Sequence, residues 1–374
     1  MKTKKNFKQD YSSIFSSTEE IIKDLNEGKM VVIVDDEKRE NEGDLVFNAD
    51  RVNSDKINFM AKYARGLICL ALEQEKADKL DLKLMSNQNA SRHKTAFTVS
   101  IEAKFGVTTG ISAKDRSKTI EVAVKKDSIP EDIVSPGHIF PVVAKNGGVL
   151  VRAGHTEAAV DLARLSGNNP SGVICEIMND DGTMARLKDL AKFCDKYKLK
   201  IGSIKNLIEY RIRKEKFIRF VSEKSLKTSF AGNFKLRIYE NILDSTQHLV
   251  LLKGLISKNT CNLVRMHTFN IFDDILDFYS TGSSDLSKCM KIINKHGSGV
   301  IVIIRNPRKE LDLDNKNQII EDSKKLKEYG IGAQILLDLG IKNISLLTNR
   351  NKKIIGIDGF GLKIENYISI KEQN

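Results

Sequence analysis

The chain has 374 residues, enough for two domains, with 41% hydrophobic content and a formal charge of +12. No apolar run approaches the roughly 18 residues of a membrane span, and the start Met1-Lys2-Thr3-Lys4-Lys5 lacks the apolar stretch of a secretory signal, so a cytoplasmic protein without membrane contact is expected. Five scattered cysteines, at 69, 175, 194, 261 and 289, form no C-x-x-C, which argues against a disulfide scaffold and a cysteine-rich zinc site.

Ser17-Thr18-Glu19-Glu20 reads as a capping box that opens a helix through about Asn26, with Gly28 as its stop. Apolar runs at 30–34 and 45–47 predict two strands joined by a short polar loop. On that loop Asp35, Asp36, Glu37, Glu40, Glu42 and Asp44 crowd around Arg39. One reading is a solvated acidic hairpin. The other is a site for a divalent cation and an anionic substrate, since carboxylates this dense repel one another unless a cation lies among them.

Ser54 is placed to cap a second helix, whose apolar positions Ile57, Met60, Ala61 and Ala64 recur at helical spacing before a stop at Gly66. Residues 67–72 predict a buried strand with Cys69 in the core. Residues 92–100 run from a polar loop into a strand, and 108–116 combine hydroxyls with Arg116; both stretches suit phosphate. At 135–137 a Ser-Pro-Gly turn precedes His138.

A strand ending at Arg152 is expected to turn through Ala153, Gly154 and His155 into a helix capped by Thr156 and stopped at Gly167. Gly154 permits a sharp turn, and the helix N–H groups there favour an anion. Residues 171–178 predict a strand whose alternation puts Val173, Cys175 and Ile177 on one face and Ile174, Glu176 and Met178 on the other. Glu176 is then a lone carboxylate among apolar neighbours, a setting that suits proton transfer. A helix over about 188–198 and a short strand and helix lead to Tyr210 and Arg211.

Five motifs occur in order across roughly 15–211: Asp35-Asp36-Glu37-x-Arg39-Glu40-Asn41-Glu42-Gly43-Asp44, Thr95-Ala96-Phe97-Thr98-Val99-Ser100, Ser135-Pro136-Gly137-His138, Arg152-Ala153-Gly154-His155-Thr156-Glu157-Ala158 and Gly172-Val173-Ile174-Cys175-Glu176-Ile177-Met178-Asn179. Together they closely resemble 3,4-dihydroxy-2-butanone 4-phosphate synthase of riboflavin biosynthesis. Lys94 departs from the glycine that many members carry in a substrate-facing loop. The resemblance implies a three-layer α+β domain around a mixed twisted sheet over residues 1–211, and a homodimer with active sites near the subunit interface. It implies a lyase that converts D-ribulose 5-phosphate to 3,4-dihydroxy-2-butanone 4-phosphate and formate with Mg2+ or Mn2+. Loss of a proton beside a ketone calls for a cation that holds vicinal oxygens and stabilises the developing charge. By the resemblance, Glu40 and His155 are the metal ligands. Arg39, Glu40, Asp44 and Glu176 contact the substrate, as do Arg152, Ala153, Gly154, His155 and Thr156. Glu42 assists in the acidic loop, and His138 and Glu176 form the proton-transfer pair.

Residues 211–219 are charged and read as the domain junction. Beyond them, strand patterns occur at 234–243, 248–256 and 261–268, a helix at 285–296, a buried strand at 300–304, helices over 318–339 and strands near 343–348 and 353–357. This alternation predicts an α/β domain over 212–374. From 211 onward there are 28 basic and 18 acidic residues, against 33 and 31 before it, yet the lysines are scattered and tryptophan is absent, so no stacking platform for nucleic acid is expected.

Val264-Arg265-Met266-His267, residues 329–336, Leu346-Leu347-Thr348-Asn349 with Lys353, and Gly359-Phe360-Gly361 resemble GTP cyclohydrolase II. That family holds catalytic zinc with three cysteines. The corresponding neighbourhoods here read Thr268-Phe269-Asn270-Ile271 and Ser280-Thr281-Gly282-Ser283-Ser284, and Cys261 and Cys289 lie outside the pattern. Pro307-Arg308-Lys309 replaces a Glu-Gly-Arg stretch, and Lys325 and Lys327 stand where the family has Asp and Arg. Hydrolytic zinc needs three protein ligands and an open position. The second half is therefore expected to bind no zinc and to lack GTP cyclohydrolase activity. It would serve as scaffold, dimerisation surface or a vestigial nucleotide pocket with Arg265, Thr348 and Lys353. The alternative is a bifunctional enzyme with an unconventional zinc site.

Overall fold

Ser17 Oγ accepts the Glu20 N–H at 3.2 Å and the Glu20 carboxylate accepts the Ser17 N–H at 2.9 Å. Helix α1 (Thr18–Asn26) thus opens on the expected capping box, and Gly28, at φ +78°, follows its end. The computed structural model describes residues 14–37, 39–86, 88–90, 95–256, 260–275, 284–305, 322–349 and 361–370. The chain divides into two units, Met1–Tyr210 and Arg211–Asn374.

In the first unit the two valine-rich runs form an antiparallel hairpin, β1 (Val31–Val34) and β2 (Gly43–Asn48), with every residue of both strands buried. Helix α2 (Ser54–Phe59) is capped by Asn53 rather than Ser54: Asn53 Oδ1 accepts the Lys56 N–H at 2.9 Å. It continues through a π-type turn, Met60–Ala64, and stops at Arg65, at φ +70°, rather than at Gly66. Gly66 is needed for space, because a Cβ there would meet Glu176 Oε2 at 2.6 Å. Strand β3 (Cys69–Leu72) is buried, and burial pushes the Cys69 thiol up, in keeping with a core residue.

Helix α3 (Gln74–Lys79), β4 (Ala96–Phe97), β5 (Ile101–Ala103), α4 (Ala113–Val124) and β6 (Ile133–Val143) follow. The Ser-Pro-Gly turn lies inside β6 and includes a cis Ser135–Pro136 bond. Pairing of β5 with β6 jumps from Ile101–Ile139 to Glu102–Val134, so residues 135–138 form an excursion within the strand.

The strand expected to end at Arg152 is absent. Val149 and Leu150 instead belong to a 3-10 turn, Gly148–Leu150, where Asp161 Oδ2 accepts the Val149 N–H at 2.8 Å. Helix α5 (His155–Leu165) starts on the backbone of Gly154 without a side-chain cap, and Thr156 is a buried residue of its first turn rather than its cap. Strand β7 (Ser171–Glu176), α6 (Leu187–Tyr197), β8 (Lys200–Ser203) and α7 (Ile204–Lys214) complete the series. The strand order is β4-β6-β3-β7-β2-β1-β8, with β5 also on β6. Pairs β1/β8 and β3/β6 are parallel and the others antiparallel, so the sheet is mixed. Helix α5 packs across β2, β3 and β7.

The segment expected as a junction is built into the second unit. Buried Arg211 forks onto Glu215 at 2.6 and 2.7 Å. Gln334 Oε1 accepts the Phe217 N–H at 2.8 Å, while its Nε2 donates to the carbonyls of Ile212 and Glu215. Strand β9 (Ile218–Thr228), unmarked by any apolar alternation, pairs with β10 (Gly232–Asn241). Then come β11 (Gln247–Lys253), β12 (Asn262–Thr268), the single turn α8 (Ile271–Asp274), α9 (Asp285–His296), β13 (Gly299–Ile304), α10 (Asp322–Asp338), β14 (Asn343–Leu347) and β15 (Lys363–Ile368). Their order is β15-β14-β12-β13-β11-β10-β9. The β15, β14, β12 and β13 half is parallel, as helix–strand alternation predicts, whereas β11, β10 and β9 add antiparallel pairs that it does not. The strand expected near 353–357 lies outside the described residues.

Alternate residues of β13 feed two cores. Val300, Val302 and Ile304 meet Ile335 of α10, and Ile301 and Ile303 meet Ile293 of α9. In the first unit, Leu45 on β2 is fully buried between strands. Leu45→Ala is expected to destabilise that unit by roughly 2–5 kcal/mol, read as a lower urea midpoint for its transition.

Candidate active site

The acidic loop folds around one carboxylate. Asp35 Oδ1 accepts the Glu42 N–H at 2.9 Å, and Oδ2 accepts the Glu40 N–H at 3.1 Å and Arg39 Nη1 at 2.8 Å. The Asp35 side chain has no exposed surface. Arg39 Nη1 also donates to Glu40 Oε2 at 2.5 Å, and Arg186 holds the carbonyls of Glu40 and Asn41. The loop is therefore an ordered cradle, not a solvated hairpin. It lies at one end of the sheet, where β1 ends, β2 begins and β7 ends.

The first residue of α5 brings an imidazole to this cradle. His155 Nδ1 lies 3.7 Å from Glu40 Oε2 and 3.8 Å from Asp44 Oδ1. One ligand atom each from Asp35, Glu40 and His155 lie within 4.8 Å of one another. Asp44 Oδ1 and His155 Nε2 are buried without a hydrogen-bond partner. A buried polar atom left unpaired costs about 1–3 kcal/mol, and a ligand at the cradle would relieve that cost. The hydrogen bonds of Asp35 are taken up by the loop itself. Glu40 and His155 are then the residues suited to hold a cation, with Asp44 beside them.

Electrostatics point the same way. Burial pushes the Asp44 carboxyl up to about 7; His155 opposes the shift, and Glu176, Glu40 and Glu42 add to it. Burial pulls His155 down, but Asp44 and Glu40 outweigh it and leave the imidazole raised to about 9. Both shifts express one fact: the cluster favours added positive charge, whether proton or metal.

Glu176 stands directly opposite Asp44 across β2 and β7. It is half-buried, and its Oε2 accepts the Leu67 N–H at 2.9 Å, so it is not the isolated carboxylate among apolar groups that alternation implies. Arg152 donates to Glu157 Oε2 at 2.6 Å and to Thr95 Oγ1 at 3.0 Å. Gly154 has an ordinary φ of −114°, so no left-handed turn requires it. A Cβ there would meet Arg152 Nη1 at 2.5 Å and Glu157 Oε2 at 2.7 Å, so the glycine makes room for that ion pair. Ala153 is half-buried beside it and Thr156 is buried behind it. His138 pairs instead with Glu102, at 2.6 Å, and makes no hydrogen bond or ion pair to Glu40, Asp44, His155 or Glu176.

The sequence places Asp35 in the acidic loop and Glu157 in a motif but assigns neither a role of its own. Both are carboxylates that hold a site arginine, and only their position next to Arg39 and Arg152 hinted at it. In the second unit Arg265 donates to the Leu347 carbonyl at 3.1 Å and approaches Asp285 at 3.7 Å, while the Thr348 N–H donates to the Ile368 carbonyl. Lys353 and residues 280–283 and 307–309 lie outside the described residues, as do the side chains of Lys325 and Lys327.

A mixed sheet that carries a buried acid–imidazole cluster at one end defines an enzyme unit, here followed by a second unit with a mixed sheet of its own. The family model of 3,4-dihydroxy-2-butanone 4-phosphate synthase matches residues 19–210, and that of GTP cyclohydrolase II matches residues 219–369. The chain belongs to the 3,4-dihydroxy-2-butanone 4-phosphate synthase family, enzymes of riboflavin biosynthesis, and carries a GTP cyclohydrolase II domain after the synthase domain. It is 46% identical to the riboflavin biosynthesis protein RibBA of Aquifex aeolicus, over 96% of this chain and 93% of that one. A solved structure of RibBX, a two-domain 3,4-dihydroxy-2-butanone 4-phosphate synthase from A. baumannii, superposes with a TM-score of 0.82 at 41% identity, covering 94% of this chain and 99% of that one. A 3,4-dihydroxy-2-butanone 4-phosphate synthase solved in complex with two magnesium ions gives a TM-score of 0.52 at 37% identity, covering 54% of this chain and 98% of that one.

A metal held at His155 would have to displace the proton that the neighbouring acids favour there. Calorimetric titration with Mn2+ is expected to show proton release and an affinity that rises with pH, because the neighbouring acids raise the imidazole above its ordinary value.

Proposed function

We propose that the protein converts D-ribulose 5-phosphate to 3,4-dihydroxy-2-butanone 4-phosphate and formate, with residues 1–211 as the synthase domain, three layers deep around its mixed sheet. The observation that carries this reading is the buried cluster in which His155 Nδ1 lies 3.7 Å from Glu40 Oε2 and 3.8 Å from Asp44 Oδ1. Glu40 and His155 hold Mg2+ or Mn2+, and a related synthase has been solved with two magnesium ions. The bound cation supplies Lewis-acid charge to vicinal substrate oxygens.

The remaining roles belong to side chains. Arg39 and Asp44 orient the sugar, and the turn from Arg152 through Ala153, Gly154 and His155 to Thr156 offers a guanidinium and helix N–H groups to the phosphate. Glu176, adjacent to Asp44, removes a proton beside the ketone, and His138 is its partner in proton transfer. Glu42 adds negative charge to the cradle. The protein works as a cytoplasmic homodimer without nucleic-acid partners; no helix among the described residues is long and apolar enough to cross a membrane.

Residues 212–374 form a cyclohydrolase II-like domain that binds no zinc and does not open GTP. Two cysteines support this. Cys289 is buried and Cys261 contacts Ser345 at 3.1 Å, whereas by the resemblance the family's zinc cysteines follow the Arg265–His267 motif, where this chain has Thr268-Phe269-Asn270-Ile271. Asn270, just after strand β12, caps α8 through its Oδ1. The match of the GTP cyclohydrolase II family across 219–369 favours a second reading, a bifunctional enzyme with an unconventional zinc site.

The test is formate release by the purified chain from ribulose 5-phosphate with Mg2+ or Mn2+, and from GTP with Zn2+. Turnover of the sugar phosphate that vanishes with chelator supports the main reading, and zinc-dependent formate from GTP would establish the second. Glu176→Gln is expected to lower sugar-phosphate turnover by roughly 10²–10⁴-fold with an unchanged circular dichroism spectrum; near-normal turnover would remove Glu176 from the mechanism.

A further inference from the structure

Outside the acidic cradle, among the described residues, a further buried carboxylate of the synthase unit faces an imidazole. His138 Nδ1 lies 2.6 Å from Glu102 Oε2. The Glu102 side chain is 11% exposed and that of His138 42%, so a buried acid backs a ring that opens to solvent. The other oxygen of the acid is also engaged. Thr119 Oγ1 lies 2.9 Å from Glu102 Oε1, and accepts the Ala103 N–H at 3.1 Å.

Strand irregularity makes the pairing possible. The excursion at 135–138 carries His138 away from regular register with β5, over Glu102. Gly110 closes the opposite side: at φ +87°, its Cβ, if it had one, would lie 2.6 Å from His138 Nδ1 and collide with the Glu102 carboxylate. Asp115 fixes that loop by accepting the Thr108 hydroxyl at 2.7 Å and the Gly110 N–H at 3.1 Å.

Counting protons assigns the tautomer. With Glu102 as a carboxylate, which only accepts, the hydrogen at Oε2 comes from His138 Nδ1. The neutral ring then carries its lone pair on Nε2. We propose that Glu102 is a positioning residue that holds His138 as the Nδ1–H tautomer, so that Nε2 is presented to the substrate as the accepting nitrogen. This rests on the reading of His138 as a proton-transfer group. Glu102 touches no reacting atom; it acts through the ring.

The test uses the full chain in three forms: wild type, Glu102→Leu and Glu102→Gln. Leucine removes the acceptor with modest change in volume, whereas glutamine keeps an oxygen able to accept from Nδ1. Long-range 15N–1H spectra read the His138 tautomer, with assignment by His138→Ala, and formate release from ribulose 5-phosphate gives kcat and KM. Wild type is expected to show Nδ1–H. Glu102→Leu should lose that signature and at least roughly tenfold in kcat at similar KM, and Glu102→Gln should restore the signature and part of kcat. An Nε2–H signature in wild type would overturn the proposal even if no variant folded. So would a Leu variant with unchanged tautomer or turnover within twofold, or a Gln variant as impaired as Leu. Full turnover by His138→Ala would sink the proton-transfer reading itself and the proposal with it, and the tautomer spectra would still report the Glu102 contact separately.

Discussion

Asp44 cannot be buried as a carboxylate next to Glu40, with Asp35 and Glu42 nearby, unless positive charge comes with it. Arg39 supplies part of that charge, but it is tied to Asp35 and Glu40. His155 supplies more, and its imidazole is accordingly raised despite full burial. The remaining imbalance shows in the Asp44 carboxyl, which burial and neighbouring acids push up to about 7. Much of the unit serves this arrangement. The β1–β2 hairpin brings the acids together, α5 delivers the imidazole from its first turn, and β7 sets Glu176 opposite Asp44.

The capping box of α1 and the hairpin were legible in the sequence because each depends on residues close in the chain, whereas the pairing of Glu40 with His155, which lie 3.7 Å apart, was expected from the family resemblance alone. Other features depended on distant contacts. The same residue types at 53 and 54 both suit a helix cap, and only the fold selects Asn53. The apolar run before Arg152 resembles a strand, yet the contact of Asp161 with Val149 commits it to a 3-10 turn. Gly154 was legible as necessary but not for the right reason: an ion pair crowds it, and no turn demands it. Glu102 carries no motif of its own, and its partner lies 36 positions away on an irregular strand.

In the second unit, residues 329–336 resemble GTP cyclohydrolase II, and their described side chains have structural work. Gly330 lies where a Cβ would press on Ile212, and Gly332 leaves room for Met266. Gln334 binds the Phe217 N–H and the carbonyls of Ile212 and Glu215, joining α10 to the segment that starts the unit. These residues of the motif thus carry packing and backbone hydrogen bonds, so the motif alone does not establish GTP hydrolysis.

The two strands that periodicity failed to reveal, β9 and β15, are the outermost strands of the second sheet among the described residues. Their outward residues include Arg219, Lys224 and Lys227 on one side and Lys363 and Glu365 on the other. An outer strand offers unpaired amides to any passing chain, and charge on it deters edge-to-edge aggregation. The polarity that concealed these strands from an apolar pattern thus guards the sheet against growing intermolecularly.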